Sequence, residues 1–171
     1  MRYSVYFRGE GEKEWKLLKD GLEQRFYAFD TTALADGAYY LKIVASDAAS
    51  NDSLRALTAE KESERFEVDN TPPVIEDLRA GPPSGKMSGG IPFSFTARDS
   101  ATAIEKAEYS VDGGEWKLIL PESDLSDAPV ERYHSGLPAL AAGEHTIAVR
   151  VFDRFQNVGS AKVTIQVPIA K

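Results

Sequence analysis

The feature that most constrains the fold of this chain is an internal repeat. Three stretches, YSV, EWKL and a longer segment reading LADGAYYLKIVASD or LAAGEHTIAVRVFD, occur twice and in the same order. They lie at 3–5, 14–17 and 34–47 in the first copy and at 109–111, 115–118 and 140–153 in the second. Because the landmarks keep their order, the sequence indicates a duplication of one structural unit.

Within the repeat, apolar and polar residues alternate with a period of two, which is the pattern of a half-buried β-strand. Asp112-Gly113, between YSV and EWKL, is a hairpin signal. Short strands, frequent turn residues and no convincing long helix predict an all-β chain of antiparallel sandwiches. The predicted inward faces are Tyr39, Leu41, Ile43 and Ala45; His145, Ile147, Val149 and Val151; Ile91, Phe93, Phe95 and Ala97; Ala161, Val163, Ile165 and Val167.

The stretch VDNTPPVI, residues 68–75, predicts a boundary between two modules. Its two prolines stiffen the chain and remove two backbone donors, so a sheet cannot run through them. We therefore predict a first module over 1–69, a short semi-rigid linker over 70–75 and a second module over 76–171.

The two copies differ in what precedes them. Residues 72–108 precede the second YSV and contain VIEDLRA and IPFSFTARD, which read as two strands, whereas only Met1 and Arg2 precede the first YSV. The first module is therefore predicted to lack its first two strands, which exposes an apolar face and an unpaired edge. We expect a preceding domain of a longer protein, or a second copy in a homodimer, to cover them. The alternative is a module that evolved without those strands.

One motif carries a resemblance to a known family. Leu34-x-x-Gly37-x-Tyr39 resembles the corner of fibronectin type III domains, in which the tyrosine opens the sixth strand and hydrogen-bonds back to the corner. The second copy departs from this pattern with His145, whose imidazole can make a similar bond. The DNTPP stretch and the repeated D-x-x-x-N are similar to tandem bacterial Ig-like or fibronectin-like modules of large extracytoplasmic proteins.

This resemblance implies a non-catalytic accessory segment, a spacer or docking part near the C-terminus of a larger bacterial extracytoplasmic protein whose signal peptide lies upstream. Two alternatives remain open. The chain is either a binding module for glycans or a protein partner, or a calcium-stiffened module of the adhesion type. Fold resemblance alone does not decide between them.

Composition excludes several other classes. Lys and Arg total 20 against 27 Asp and Glu, the net charge is −7, and the acidity is spread evenly. Nucleic acids and anionic membranes are therefore not expected as partners, because both need clustered basic residues. The absence of cysteine excludes disulfides, thiolate zinc sites and a cysteine nucleophile. No catalytic motif occurs, so we do not expect an enzyme.

The resemblance also places four candidate metal ligands together. In a fibronectin-like sandwich the N-terminus lies at the same end as the loops after strands two and six. Asp69 and Asn70 would then approach Asp99 and Asp153, and hard oxygen ligands of this kind suit Ca²⁺. The alternative is structural, since Asp and Asn side chains often bond to nearby backbone and hold tight turns. The repeated Asn51 and Asn157 are assigned that structural role.

Two further sets of side chains are candidates for binding. Trp15 and Trp116 occupy the same place in each copy, which favours packing over the stacking of a sugar. The first copy also carries an insertion after Asn51, in which SLRALTAEKESE predicts a turn or two of helix. Loops at the ends of sandwiches often carry binding functions. The predicted partner-binding residues are Leu54, Arg55, Leu57, Lys61 and Glu62.

Overall fold

The computed structural model of the chain describes residues 1–52, 54–81 and 90–169. The chain divides into two units, Met1–Asn70 and Thr71–Lys171. All strand pairs found in these described ranges are antiparallel, and the only helical segment in them is a single 3₁₀ turn, Thr31–Ala33. The predicted all-β antiparallel class is confirmed. None of the described segments forms a helix long and apolar enough to span a lipid bilayer.

The first unit is a single five-stranded sheet. Its order is β2-β1-β3-β4, and β5 continues alongside β3. The YSV strand lies in the middle of this sheet, with Tyr3 opposite Ala45 and Phe7 opposite Leu41. The strands are β1 (Arg2–Gly9), β2 (Lys16–Leu22), β3 (Gly37–Ser46), β4 (Thr58–Glu62) and β5 (Phe66–Val68).

One face of this sheet has no second sheet against it within the described part of the unit. Val5 is buried on that face, but Ile43, its opposite neighbour on β3, remains 48% exposed. The sheet is therefore covered only in part, by the chain that follows β2. This agrees with the predicted lack of the first two strands. In the second unit the opposing sheet has three strands, and the described part of the first unit lacks a counterpart of the third one as well.

Comparison with the second unit explains why this third strand does not form in the first unit. There, the segment before the corner forms β10, and every residue of β10 pairs with β7. The corresponding segment of the first unit, residues 23–36, forms no strand. A lone strand leaves its backbone donors and acceptors without partners, so without a counterpart of β7 the segment takes a turn structure instead.

The helix predicted in the insertion of the first unit is wrong for its second half. Residues Thr58–Glu62 form β4, which pairs with β3 from Ser46 to Lys42. Helix propensity is a weak preference, and the free edge of β3 offers five residues a ladder of backbone hydrogen bonds. Tertiary pairing overrides local preference here.

The second unit is a complete sandwich of a three-stranded sheet, β10-β7-β6, and a four-stranded sheet, β12-β11-β8-β9. The predicted inward faces of β7 and β11 are confirmed, since Phe93, Phe95, Val149 and Val151 are buried in one core that draws on both sheets. The strands are β6 (Val74–Ala80), β7 (Ile91–Arg98), β8 (Ile104–Val111), β9 (Lys117–Ile119), β10 (Val130–Leu137), β11 (Gly143–Asp153) and β12 (Val158–Val167).

Two local expectations for this unit also hold. Asp112 and Gly113 have φ of 52° and 74°, and the chain turns there between the paired strands β8 and β9. His145 lies at the start of β11, which is the sixth strand of the unit. Three strands packed on four in this order match the fibronectin type III-like fold that the corner motif predicts.

Candidate metal centre and repeated side chains

Asp99 lies directly after β7, the second strand of the second unit. Its Oδ1 accepts hydrogen bonds from the backbone N–H groups of Ala101 at 2.9 Å and Thr102 at 2.6 Å, which shapes the turn. Its Oδ2 is buried and accepts no hydrogen bond from the described part of the chain. The side chain is 5% exposed. One oxygen of Asp99 therefore holds a turn, and the other is available to a ligand.

Asp153 is the last residue of β11 and is fully buried. Its Oδ1 accepts hydrogen bonds from the backbone N–H groups of Phe155 at 2.7 Å and Asn157 at 2.9 Å. Its Oδ2 accepts one from Asn157 Nδ2 at 2.7 Å. The D-x-x-x-N pattern of the second copy thus folds into a closed turn around one carboxylate.

The fold brings these two carboxylates together at one end of the second sandwich. Asp99 and Asp153 each offer a carboxylate oxygen, and the two oxygens lie within 4.8 Å of each other. Neither residue forms an ion pair with a basic side chain among the salt bridges of the described ranges. The arrangement is a buried pair of hard oxygen ligands, and no salt bridge among the described residues balances their charge.

The other two predicted ligands end the first unit. Asp69 is buried. The backbone N–H of Asn70 donates to Asp36 Oδ1 at 2.7 Å, and its Nδ2 donates to the carbonyl oxygens of Leu34 at 3.0 Å and Thr31 at 3.2 Å. Asn70 therefore fastens the chain to the corner of its own unit. A metal-binding role for Asp69 and Asn70 stays a prediction.

The corner residues of the two copies make the same hydrogen bond. Tyr39 donates from Oη to the carbonyl of Ala35 at 2.8 Å. His145 bonds through Nε2 to the carbonyl of Ala141, also four residues upstream, at 2.9 Å. The histidine differs in a second contact, a 2.6 Å bond from Nδ1 to Asp112 Oδ2.

The two tryptophans both lie beneath basic side chains. The guanidinium of Arg8 stands 4.7 Å and the ammonium of Lys42 4.9 Å from the ring centre of Trp15. Arg150 stands 4.2 Å from the ring of Trp116, and its Nε donates to Glu108 at 2.6 Å. The sequence did not predict these cations, because they sit on neighbouring strands and reach the tryptophans only through the register of the sheet.

The insertion of the first unit presents its predicted partner-binding residues in two places. Leu54, 96% exposed, and Leu57 follow Asn51, whose Nδ2 donates to the carbonyl of Asp47 at 3.4 Å. Arg55 lies in the same turn, and its N–H donates to the carbonyl of Asp52 at 3.0 Å. Lys61 and Glu62 lie on β4.

A groove of about 240 Å³ in the first unit was not predicted. It opens on the face that lacks a second sheet, where the chain after β2 folds against β1 and β3. The sequence signal that could have predicted the groove is the cluster of aromatic residues in RFYAF, residues 25–29, shortly after β2. Its apolar lining comes from Tyr3, Val5, Leu22, Phe26, Tyr27 and Ile43.

No protein family and no curated protein matches the chain. Among solved structures, it is similar to the fibronectin(III)-like modules of CbhA from Clostridium thermocellum, with 23% identity, a TM-score of 0.44, and coverage of 96% of this chain and 77% of that chain. It is also similar to dimeric latent PorU from Porphyromonas gingivalis, with 16% identity and a TM-score of 0.46. That match covers 99% of this chain and only 20% of PorU. TM-scores below 0.5 do not establish a shared fold, so the fold rests on the strand order described above.

Proposed function

We propose that the chain is a non-catalytic accessory segment of a larger bacterial extracytoplasmic protein, in which its two β units act as spacer and docking modules. The observation that carries this proposal is the use of the side chains that both copies share. Tyr39 and His145 close equivalent corners, and Trp15 and Trp116 each carry a basic side chain on the ring.

These shared contacts favour a structural role over a binding role. A sugar stacks on the free face of an aromatic ring, whereas Arg150 lies over the ring of Trp116 and is itself bonded to Glu108. Asn51 and Asn157 likewise bond to the aspartate of their own turn. Duplication has preserved the groups that hold each unit together, as expected for modules whose work is to keep a shape.

The docking part of the proposal is supported by the first unit. Its sheet carries an apolar groove and an exposed Ile43 where the second unit has a full opposing sheet. Contiguous exposed apolar surface of this kind is typical of an interaction site. A protein surface is therefore a better candidate partner than a glycan.

The structural and glycan-binding roles of Trp116 can be separated by one substitution. Trp116→Ala removes the contact with Arg150, and we expect a loss of about 1 kcal/mol, which lowers the melting temperature of a unit of this size by roughly 4–8 °C. Leu118→Ala is the matched control, because Leu118 lies two residues further along the chain, on β9, is 61% exposed and makes no such contact.

A glycan array probed with the intact chain completes the test. The accessory role predicts no bound glycan and a melting loss confined to Trp116→Ala. A glycan that binds the wild-type chain and is lost in Trp116→Ala, with the melting temperature unchanged, would contradict the proposal and favour a carbohydrate-binding module.

A further inference from the structure

We propose that Asp99 and Asp153 form a Ca²⁺-binding site in the second unit. This assignment goes beyond the accessory role and does not depend on it. The two residues follow different strands, β7 and β11, and the sandwich brings the ends of those strands together.

The distance between the two carboxylates fits a shared cation. Ca²⁺ binds oxygen at about 2.3–2.6 Å, so two ligand atoms on opposite sides of the ion stand up to roughly 5 Å apart. The oxygens of Asp99 and Asp153 lie within 4.8 Å of one another. One ion between them satisfies both.

The unpaired oxygen of Asp99 is the observation that points to a ligand. Oδ2 is buried and accepts no hydrogen bond within the described ranges, although Oδ1 of the same group accepts two from the backbone. Leaving a buried charged acceptor unsatisfied is costly, and placing a second buried carboxylate beside it adds repulsion. A bound cation removes both penalties.

The chemistry of the donors selects the ion. Both ligands are carboxylate oxygens, which are hard donors that suit Ca²⁺ rather than the metals that prefer sulfur or imidazole. Asp153 Oδ1 already accepts two backbone hydrogen bonds, whereas Oδ2 accepts the one from Asn157 Nδ2 and keeps a second lone pair with which to bind an ion. The turn bonds therefore orient the ligand without excluding the metal.

The entry of the chain into the second unit passes close to this end of the sandwich. A Cβ built on Gly159, two residues after the Asp153–Asn157 turn, would stand 1.8 Å from the carbonyl oxygen of Pro73. The start of β12 and the residues before β6 are therefore in direct contact.

The test compares the wild-type chain with Asp99→Asn, with and without Ca²⁺. The amide oxygen of the variant keeps the bonds to Ala101 and Thr102, while the free carboxylate oxygen becomes an NH₂ group that donates toward Asp153. Without Ca²⁺ the variant should melt at a higher temperature than the wild type, because repulsion is removed. With Ca²⁺ the order should reverse, since only the wild type binds the ion.

The expected shift can be sized in advance. Calorimetry on the chelator-treated full chain, titrated to roughly 10 mM CaCl₂, covers the dissociation constants of 10⁻⁴–10⁻³ M common in extracellular calcium modules. A free Ca²⁺ concentration about tenfold above the dissociation constant should raise the melting temperature of the wild-type second unit by about 5 °C or more. NaCl at matched ionic strength should not reproduce this rise.

Asp30→Asn is the matched control, because Asp30 Oδ1 also accepts a backbone N–H two residues on, from Thr32, and Asp30 belongs to no cluster of three or more potential metal ligands among the described residues. It should retain the full Ca²⁺ response. The proposal is overturned if the wild type shows no Ca²⁺-dependent rise, or if Asp99→Asn responds as strongly as the wild type. Should the variant not fold, isothermal titration of the wild type with CaCl₂ decides, since the absence of binding heat at one site per chain contradicts the assignment.

Discussion

At the scale of single residues, His145 makes the corner of the second unit sensitive to pH. Its Nδ1 bonds to Asp112 Oδ2 and its Nε2 to the carbonyl of Ala141, and both partners are acceptors. The ring can donate from both nitrogens only as the imidazolium. The bond to Asp112, followed by the bond to Ala141, therefore raises the pKa of His145, and the bond to His145 lowers the pKa of Asp112.

The sign of the resulting pH dependence follows from these directions. A histidine whose folded pKa is raised contributes stability below its unfolded pKa, near 6.5, and loses that contribution as the pH rises through the higher folded value. We expect the melting temperature of the second unit to fall as the pH rises above about 6.5.

His145→Tyr should remove this slope, since the first copy shows with Tyr39 that a phenol makes the same corner bond. Scanning calorimetry between about pH 5.5 and 8.5, an interval that spans the titration of a histidine with a raised pKa, measures the slope of melting temperature against pH. His134→Tyr removes the other histidine, which is exposed on β10, and should leave the slope intact. An unchanged slope in His145→Tyr would contradict this explanation.

At the scale of elements, the first unit is distinguished by its open sheet. Its edge strand β4 reads TAEKE, and charged residues on an edge oppose pairing with another chain. The open face has no such protection, because it presents Ile43 and the aromatic groove. The predicted homodimer through this unit should therefore depend on the face more than on the charged edge.

Ile43→Lys tests that expectation. We predict that the wild-type chain self-associates in a concentration-dependent manner in multi-angle light scattering, and that a lysine on the open face shifts it to monomer because burial of the charge is costly. Leu54→Lys is the control, since Leu54 is 96% exposed in a turn outside the sheet. A wild-type chain that stays monomeric at every concentration would contradict self-association.

The elements also show how far sequence reasoning reaches. Alternation identified β7 and β11 because each has one face in a core, and the hairpin was signalled by the turn residues Asp112 and Gly113. Sequence reasoning failed where distant strands decide the pairing. It predicted helix for the residues that form β4, and it did not predict that residues 23–36 of the first unit form no counterpart of β10. The closeness of Asp99 and Asp153 depends on topology, so only the resemblance to a known sandwich suggested it.

At the scale of the whole molecule, the same β architecture occurs twice, as a full two-sheet sandwich in the second unit and as a single sheet in the first. The second unit buries an extensive apolar core between two sheets, whereas the apolar residues buried in the first unit are Val5, Leu34 and Val68. Both units keep the same corner and the same tryptophan contact. Modules that share structural residues and differ in coverage are what we expect of accessory segments that are built into a larger protein.

The most direct test of this account is the size and location of the native protein. An antibody raised against the second unit would be used on fractionated cells and culture medium, with denaturing electrophoresis to measure mass. The account predicts a band well above the 18.7 kDa of this chain, outside the cytoplasm. A band at 18.7 kDa confined to the cytoplasm would contradict the proposed accessory role.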